Sequence, residues 1–200
     1  MNLSILIPTH NRPHLFARCL NSVLDQITPN VEVVVSNDSR DVIEIEHPQV
    51  KYYYNEFDSL CEIYQFLLQQ AIGEYVYYLE DDDYLLPDFL ISLEYGADMI
   101  AGNYYPTYET TDKLIYPRLY KPALVSPKEF LDNLNEEHLQ LSQHVYKRST
   151  IVDFTFPKDS HINNDILLTK HAANNCTVIQ TTNKIFYYQT IDGGDNISFL

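Results

Sequence analysis

Glycine is scarce in this chain, and what there is comes late. Only five of the 200 residues are Gly, and none precedes Gly73. The first third therefore has neither a P-loop nor a G-x-G-x-x-G turn to cradle a phosphate. Basic residues are also few, 13 Lys+Arg against 28 Asp+Glu, for a formal charge of −15. A nucleic-acid binder needs a positive footprint, and an anionic membrane surface attracts polybasic segments, so neither is an expected partner. Cysteine is limited to Cys19, Cys61 and Cys176. An odd count at wide spacing is neither a disulfide framework nor a metal motif. Cys19 and Cys61 read instead as small core residues on helices. No apolar run approaches the ~18 residues of a membrane span. The N-terminus has no basic region followed by a long apolar one, so no signal peptide is read. The expectation is a soluble, cytoplasmic protein, long enough for one compact α/β domain with its own core.

What is present is a series of short apolar runs that end in polar residues. Leu3 to Ile7 stops at Pro8, and Thr9, His10 and Asn11 follow. Val31 to Val35 runs into Asn37 and Asp38, and Tyr75 to Leu79 runs into Glu80, Asp81, Asp82 and Asp83. Such runs have the length of buried strands. Between them lie two stretches with helical periodicity, from Pro13 to Ile27 and from Asp58 to Ile72, the second closed by Gly73. Val50 to Tyr54 reads as a further strand. A strand-helix-strand order implies a right-handed parallel unit, which puts the polar ends of the strands on one edge. In open α/β sheets that carboxyl edge is where ligands bind.

Past Pro87 the pattern is less regular. A short helix is expected from Phe89 to Tyr95 and strands at 98–105 and 113–120, plausibly antiparallel. Ser126-Pro127 begins a helix, 144–152 is ambiguous, and Asn163 to Ala173 is helical. Two late strands, 177–181 and 184–189, precede a turn-rich tail. A soft boundary near residue 97 divides a nucleotide-type half, 1–97, from a second half, 98–200, within one continuous domain.

Four acids at the end of a buried strand repel one another unless water screens them or a cation neutralises them. Their oxygen-only chemistry suits a hard divalent ion, Mg²⁺ or Mn²⁺. With no Gly-rich loop, a phosphorylated ligand at this edge would be held through that ion. A run of acids is also what a solvated loop looks like; the apolar strand in front of it and the edge it shares with the other strand ends favour a site. Asp38 alone would cap a turn. Asn163, Asn164 and Asp165 are all good helix caps. Arg12 could form a surface salt bridge or reach a phosphate, and the surface is the favoured expectation.

The segments ILIPTHNRP, VVVSNDS, GEYVYYLEDDDYLLPD and INNDILLTKHA, in this order, resemble the inverting glycosyltransferases of family 2, with the GT-A fold. They span positions 5 to about 173. The resemblance implies an α/β fold, a Rossmann-like, mostly parallel nucleotide-binding sheet with a small mixed acceptor-side half. It implies transfer of a sugar from a nucleotide-sugar, most often UDP-linked, to a hydroxyl acceptor such as a glycan, with Mn²⁺ or Mg²⁺. Pro8, Thr9 and His10 match the loop that lines the nucleotide, with His10 where an aromatic residue, typically Tyr, often stands. Asp38 matches the acid that binds the base, and Asn37 stands where many members have a second Asp. Asp81 and Asp82 match the DxD-type element, the first near the ribose and the second on the metal. In the alternative register, Glu80-x-Asp82, Glu80 takes the first role. Asp83 reads as a turn or supporting residue. Asp165 matches the catalytic base. Some members use a late His as a further ligand; His144, His161 and His171 otherwise read as ordinary polar residues. Tyr104 or Tyr105 is a candidate for stacking on an acceptor sugar. The competing reading is a non-catalytic module of the same fold that holds a nucleotide-sugar or glycan without turnover.

Overall fold

The computed structural model describes residues 1–39, 45–107, 120–136, 139–158 and 163–191. Its elements are β1 (Leu3–Thr9), α1 (Pro13–Leu24), β2 (Val31–Asn37), β3 (Val50–Tyr54), α2 (Leu60–Gln70), β4 (Tyr75–Tyr78), β5 (Tyr84–Leu85) and α3 (Phe89–Ser92). They continue with β6 (Met99–Thr107), β7 (Ala123–Val125), α4 (Pro127–Asp132), β8 (His144–Lys147), α5 (Asn164–Asn175) and β9 (Ile179–Thr190). Nine strands among the described residues form one mixed sheet in the order β3-β2-β1-β4-β8-β6-β9-β5, with β7 also paired to β9.

The first four strands of that order are parallel, with Thr9 opposite Asn37 and Asn37 opposite Tyr54. Their polar ends therefore share one edge, as the strand-helix-strand order requires. Every residue of β1, β2 and β4 is buried. Alternation then sorts the side chains into two layers. Leu3, Ile5, Ile7, Val33, Val35 and Tyr77 pack with Phe16, Cys19 and Val23 of α1 and Phe89 of α3. Leu6, Val34, Val76 and Tyr78 face the other way, onto Cys61, Ile63 and Leu67 of α2 and Leu168 and Ala172 of α5. A sheet covered on both faces explains why these runs are continuously apolar rather than alternating. Cys19 and Cys61 are core residues on helices, as expected.

The second half departs from the sequence expectation in several places. The two late strands are one strand, β9, whose pairing with β6 is parallel and shifts register around Gly102. β6 is antiparallel to β8, which resolves the ambiguous stretch 144–152 into a strand followed by a 3₁₀ turn at Arg148–Thr150. The helix after Pro87 ends at Ser92, because Leu93 is extended and Gly96 has a φ of 149°. Most of the expected strand at 113–120, and the tail from 192, lie outside the described residues. None of the helices among the described residues is long and apolar enough to cross a membrane.

Gly102 is required by packing. A Cβ there would lie 2.3 Å from the Phe186 ring, which is fully buried against Tyr77 and Phe89. The ring has no room to retreat. Gly102→Ala should therefore destabilise the fold by about 1–3 kcal/mol, the usual cost of overpacking. A denaturant titration with an unchanged midpoint would contradict this packing.

Candidate functional site

The acidic stretch forms a tight turn between β4 and β5. Leu79 donates its N–H to the Leu6 carbonyl at 2.9 Å, which extends the parallel pairing one residue past β4. The Asp83 N–H then closes onto the Glu80 carbonyl at 3.1 Å. The four carboxylates fan out in different directions. Asp81 is fully buried and turns toward β1, where it accepts the Thr9 hydroxyl at 2.8 Å and Arg12 at 3.3 Å. Asp82 accepts Arg12 at 2.8 Å and keeps 22% of its side chain exposed. Glu80 accepts the Tyr64 hydroxyl from α2. Asp83 accepts the Thr190 N–H at 2.9 Å, so it is a buried anchor for the end of β9.

The backbone of the turn is held from outside as well. Arg18 of α1 donates to the Asp82 carbonyl at 2.5 Å and to the Thr190 hydroxyl at 2.9 Å. Its guanidinium lies over the Tyr84 ring, 4.6 Å from the centroid. Thr190 donates in turn to the same Asp82 carbonyl at 2.5 Å. A positioned turn is what a binding site needs, since each carboxylate is then aimed by neighbours rather than by its own rotamer freedom.

A cavity of about 390 Å³ opens beside this turn. Glu80, Asp82 and Asp83 are on its wall with Arg12, Tyr64, the 140–142 segment, Gln189 and Thr190. Asn163, Asn164 and Asp165 complete it from the start of α5. Asn163 caps that helix in the left-handed region, φ 81°. The Asn164 amide reaches Cys61 Sγ at 3.2 Å and so ties α5 to α2. Asp165 thus stands one residue into the helix, half-buried, and its Oδ1 accepts the Ile166 N–H at 2.8 Å.

The other expected nucleotide residues lie at the same sheet edge but off this cavity wall. His10 Nδ1 contacts Asp38 Oδ1 at 2.5 Å, and its Nε2 is 2.8 Å from the Asn11 amide. An imidazole protonated on Nδ1 donates to Asp38 and accepts from Asn11, which fixes the ring. Pro8 and Thr9 are buried. Asn37 is fully buried, and its amide is spent on the local turn, through Tyr52 and Ser39.

Arg12 is not the surface residue its place after β1 suggested. Only 11% of its side chain is exposed, because the acid turn sits directly against the loop that precedes α1. His144 is fully buried between Phe130 and Tyr146, and burial pushes it down to about 3. His171 pairs with Asp153 at 3.0 Å, and His161 lies outside the described residues. Tyr104 and Tyr105 stack on Tyr187 and Tyr188 of β9, so each has one ring face covered. Tyr64, Arg18, Gln189 and Thr190 were missed by sequence reasoning. Tyr64 lay hidden in the apolar face of its helix, and nothing local marked the other three.

Burial sets the electrostatics of the turn. It pushes Glu80 up to about 8, against the Tyr64 hydrogen bond and with help from the Asp82 and Asp81 charges. It pushes Asp81 to about 6, held down in part by Thr9 and Arg12. Burial also raises Asp83 and Asp165. Among the described residues no three His, Cys, Asp or Glu side chains gather as a metal cage.

An α/β sheet with carboxylates aimed from its carboxyl edge into a cavity has the form in which open α/β folds bind ligands. The sequence matches the profile of glycosyl transferase family 2 over residues 4–150. The chain belongs to that family. GlyA of Streptococcus pneumoniae, a glycosyltransferase, is 28% identical over 122 residues, which are 54% of this chain and 17% of that protein. The GalNAc(5)-diNAcBac-PP-undecaprenol beta-1,3-glucosyltransferase of Campylobacter jejuni is 31% identical over 106 residues, 48% of this chain and 34% of that one. The crystal structure of residues 1–349 of S. aureus TarS in complex with UDP-GlcNAc superposes with a TM-score of 0.75 at 22% identity, covering 98% of this chain and 60% of that one. The fold is therefore GT-A, α/β with a mixed, mostly parallel sheet. This chain spans less than half the length of these two relatives.

Glu80 supplies a pH test of the turn. Its carboxyl titrates near 8 in the fold and near 4.5 when unfolded. Between those values the unfolded chain has lost a proton that the fold retains, so stability falls as pH rises through this window and levels above it. Glu80→Gln removes that slope. The difference in melting temperature between variant and parent should grow in the variant's favour from about pH 4.5 to about 8. A difference that stays constant with pH would contradict the buried, proton-holding Glu80.

Proposed function

We propose that this chain is a catalytic GT-A domain that transfers a sugar, with inversion, from a nucleotide-sugar to a hydroxyl acceptor such as a glycan. One observation carries the reading: Asp82 from the β4 end and Asp165 from the α5 start line the same cavity. An inverting displacement needs its charge-neutralising group at the leaving diphosphate and its base at the acceptor, around one reaction centre. Both carboxylates are on the wall of a space large enough for part of such a ligand.

Asp82, with Glu80 as its neighbour on the wall, is the residue assigned to a divalent ion. The donor set fits Mn²⁺ or Mg²⁺. Its ligands are hard oxygens, and such ions are held by one or two carboxylates plus substrate phosphates and water rather than by an all-protein cage. Asp82 also accepts a cation in this structure, the Arg12 guanidinium. When bound, the ion supplies neutralisation of the charge on the departing nucleoside diphosphate. Asp165 takes the proton of the acceptor hydroxyl. Its Oδ1 is engaged by the Ile166 N–H, so Oδ2 is the accepting atom. Burial raises its affinity for a proton, which makes it a stronger base than a solvated carboxylate. The fixed His10–Asp38 pair and the Pro8–Thr9 loop are assigned to the nucleotide base and ribose. Thr9 and Asn37 act by shaping that edge, and Asp81 by holding Thr9 and Arg12.

A uracil nucleotide is the expected donor carrier. The family resemblance favours it, and the structurally similar TarS was crystallised with UDP-GlcNAc and with UDP. Thermal shift with UDP, GDP, CDP and dTDP sugars, with and without Mn²⁺, tests this. UDP-linked donors should raise the melting temperature in a Mn²⁺-dependent way, because stabilisation grows as RT ln(1 + [L]/Kd). No metal-dependent shift with any nucleotide would refute the donor site.

The two carboxylates should separate cleanly in mutagenesis. Asp165→Asn should lower turnover by roughly 10²–10⁴-fold, the range of general-base help, and leave UDP affinity nearly unchanged. Asp82→Asn should remove the metal-dependent part of donor binding. Loss of donor binding in Asp165→Asn would put that residue on the nucleotide side and overturn its role. Tight UDP binding by the parent chain, with neither transfer nor hydrolysis over a broad acceptor panel, would point to a non-catalytic module.

A further inference from the structure

The cavity wall is strongly acidic, with Glu80, Asp82, Asp83 and Asp165. A nucleoside diphosphate is itself an anion, and the ionised carboxylates of this wall, Asp82 among them, oppose its entry. Arg12 is the one Lys or Arg on the wall among the described residues. We propose that Arg12 is an exchangeable cation: it neutralises Asp82 in the nucleotide-free chain and passes to the diphosphate of the donor when the nucleotide binds. The inference rests on the donor-site reading above and adds to it a residue that the sequence placed at the surface.

The geometry separates the two arginines that meet the acid turn. Arg18 is committed to backbone and scaffold, through the Asp82 carbonyl, the Thr190 hydroxyl and the face of Tyr84. It fixes the turn and is not on the cavity wall. Arg12 binds carboxylate oxygens instead, Asp82 Oδ2 at 2.8 Å and Asp81 Oδ1 at 3.3 Å, both through Nη1. A planar guanidinium matches phosphate oxygens as well as it matches carboxylates, with two parallel N–H bonds. Arg12 sits just ahead of Pro13, at the start of α1, with no side-chain cap bond of its own.

Asp82 then has two claimants, the guanidinium and a divalent ion. While Arg12 holds the carboxylate, the ion alone binds weakly. A diphosphate that draws Arg12 away frees Asp82 for the ion, and the ion in turn favours the diphosphate. Binding of metal and nucleotide is coupled, and by thermodynamic linkage the coupling is reciprocal.

The test is a pair of titrations, Mn²⁺ alone and UDP at fixed Mn²⁺, on the parent, Arg12→Gln and Arg12→Lys. Arg12→Gln should tighten Mn²⁺ alone by about tenfold, the loss of one competing charge-assisted bond, while weakening UDP by about 10–100-fold. Arg12→Lys keeps a positive charge on Asp82 but loses the fork. It should leave Mn²⁺ near the parent value and still weaken UDP, and it carries the test if Arg12→Gln does not fold. Weaker or unchanged Mn²⁺ binding in Arg12→Gln, or unchanged UDP binding in both variants, overturns the exchange. A parent chain that binds no UDP overturns the donor site itself, whereas a parent that binds UDP without these opposite shifts overturns only the role of Arg12.

Discussion

The structure depends on holding four acidic side chains together at the end of β4. A guanidinium beside two of the acids, a tyrosine hydroxyl on a third and a backbone N–H on the fourth make this possible. Each partner comes from a different element: Arg12 from the loop before α1, Tyr64 from α2 and Thr190 from the end of β9. Neutralising the turn therefore also fixes the relative positions of those elements, which are the walls of the cavity. Burial leaves Glu80 and Asp81 with a residual tendency to hold protons. That residue of strain fits a site that meets a further cation during function, since a bound cation favours the ionised carboxylates.

A buried acid elsewhere in the same sheet offers a contrast with the carboxylates of the turn. Glu32 lies in the first half of β2, away from the strand ends that carry the acid turn. Burial works against its charge, but Lys51, the Ser4 hydroxyl at 2.5 Å and the Ile72 N–H at 2.8 Å prevail and lower its pKa. These neighbours hold it ionised. The Ser4 hydroxyl also accepts the Gly73 N–H at 2.8 Å, and a Cβ on Gly73 would fall 2.6 Å from Ser4 N. Glu32 ties neighbouring elements together, whereas Asp82 keeps part of its carboxylate exposed at the cavity.

The fold was legible where burial is local and complete. β1, β2 and β4 are short apolar runs with clear stops, and α1 and α2 carry one apolar face each, so their type and order follow from pattern alone. β5 and β7 were not legible. They have two and three residues, and both exist only by pairing with β9, a partner far away in sequence. The acids announced themselves as a cluster, but sequence could not say which way each points. Asp81 and Asp82 are adjacent, yet one is sealed beneath Thr9 and the other faces the cavity. Arg12 was misread for the same reason: its burial is decided by a turn some seventy residues away. The base role proposed for Asp165 came only through the family resemblance, because a helix cap and a catalytic base look alike in sequence.

In the proposed site, one cavity gathers a metal-facing carboxylate from the β4 end and a base from α5. Anomalous diffraction from crystals of the chain grown with Mn²⁺ and UDP tests it most directly. A manganese peak is expected within direct coordination distance of an Asp82 oxygen, with the diphosphate beside it and Asp165 across the cavity. A manganese peak away from the 80–83 turn, or a nucleotide bound elsewhere on the sheet, would contradict it.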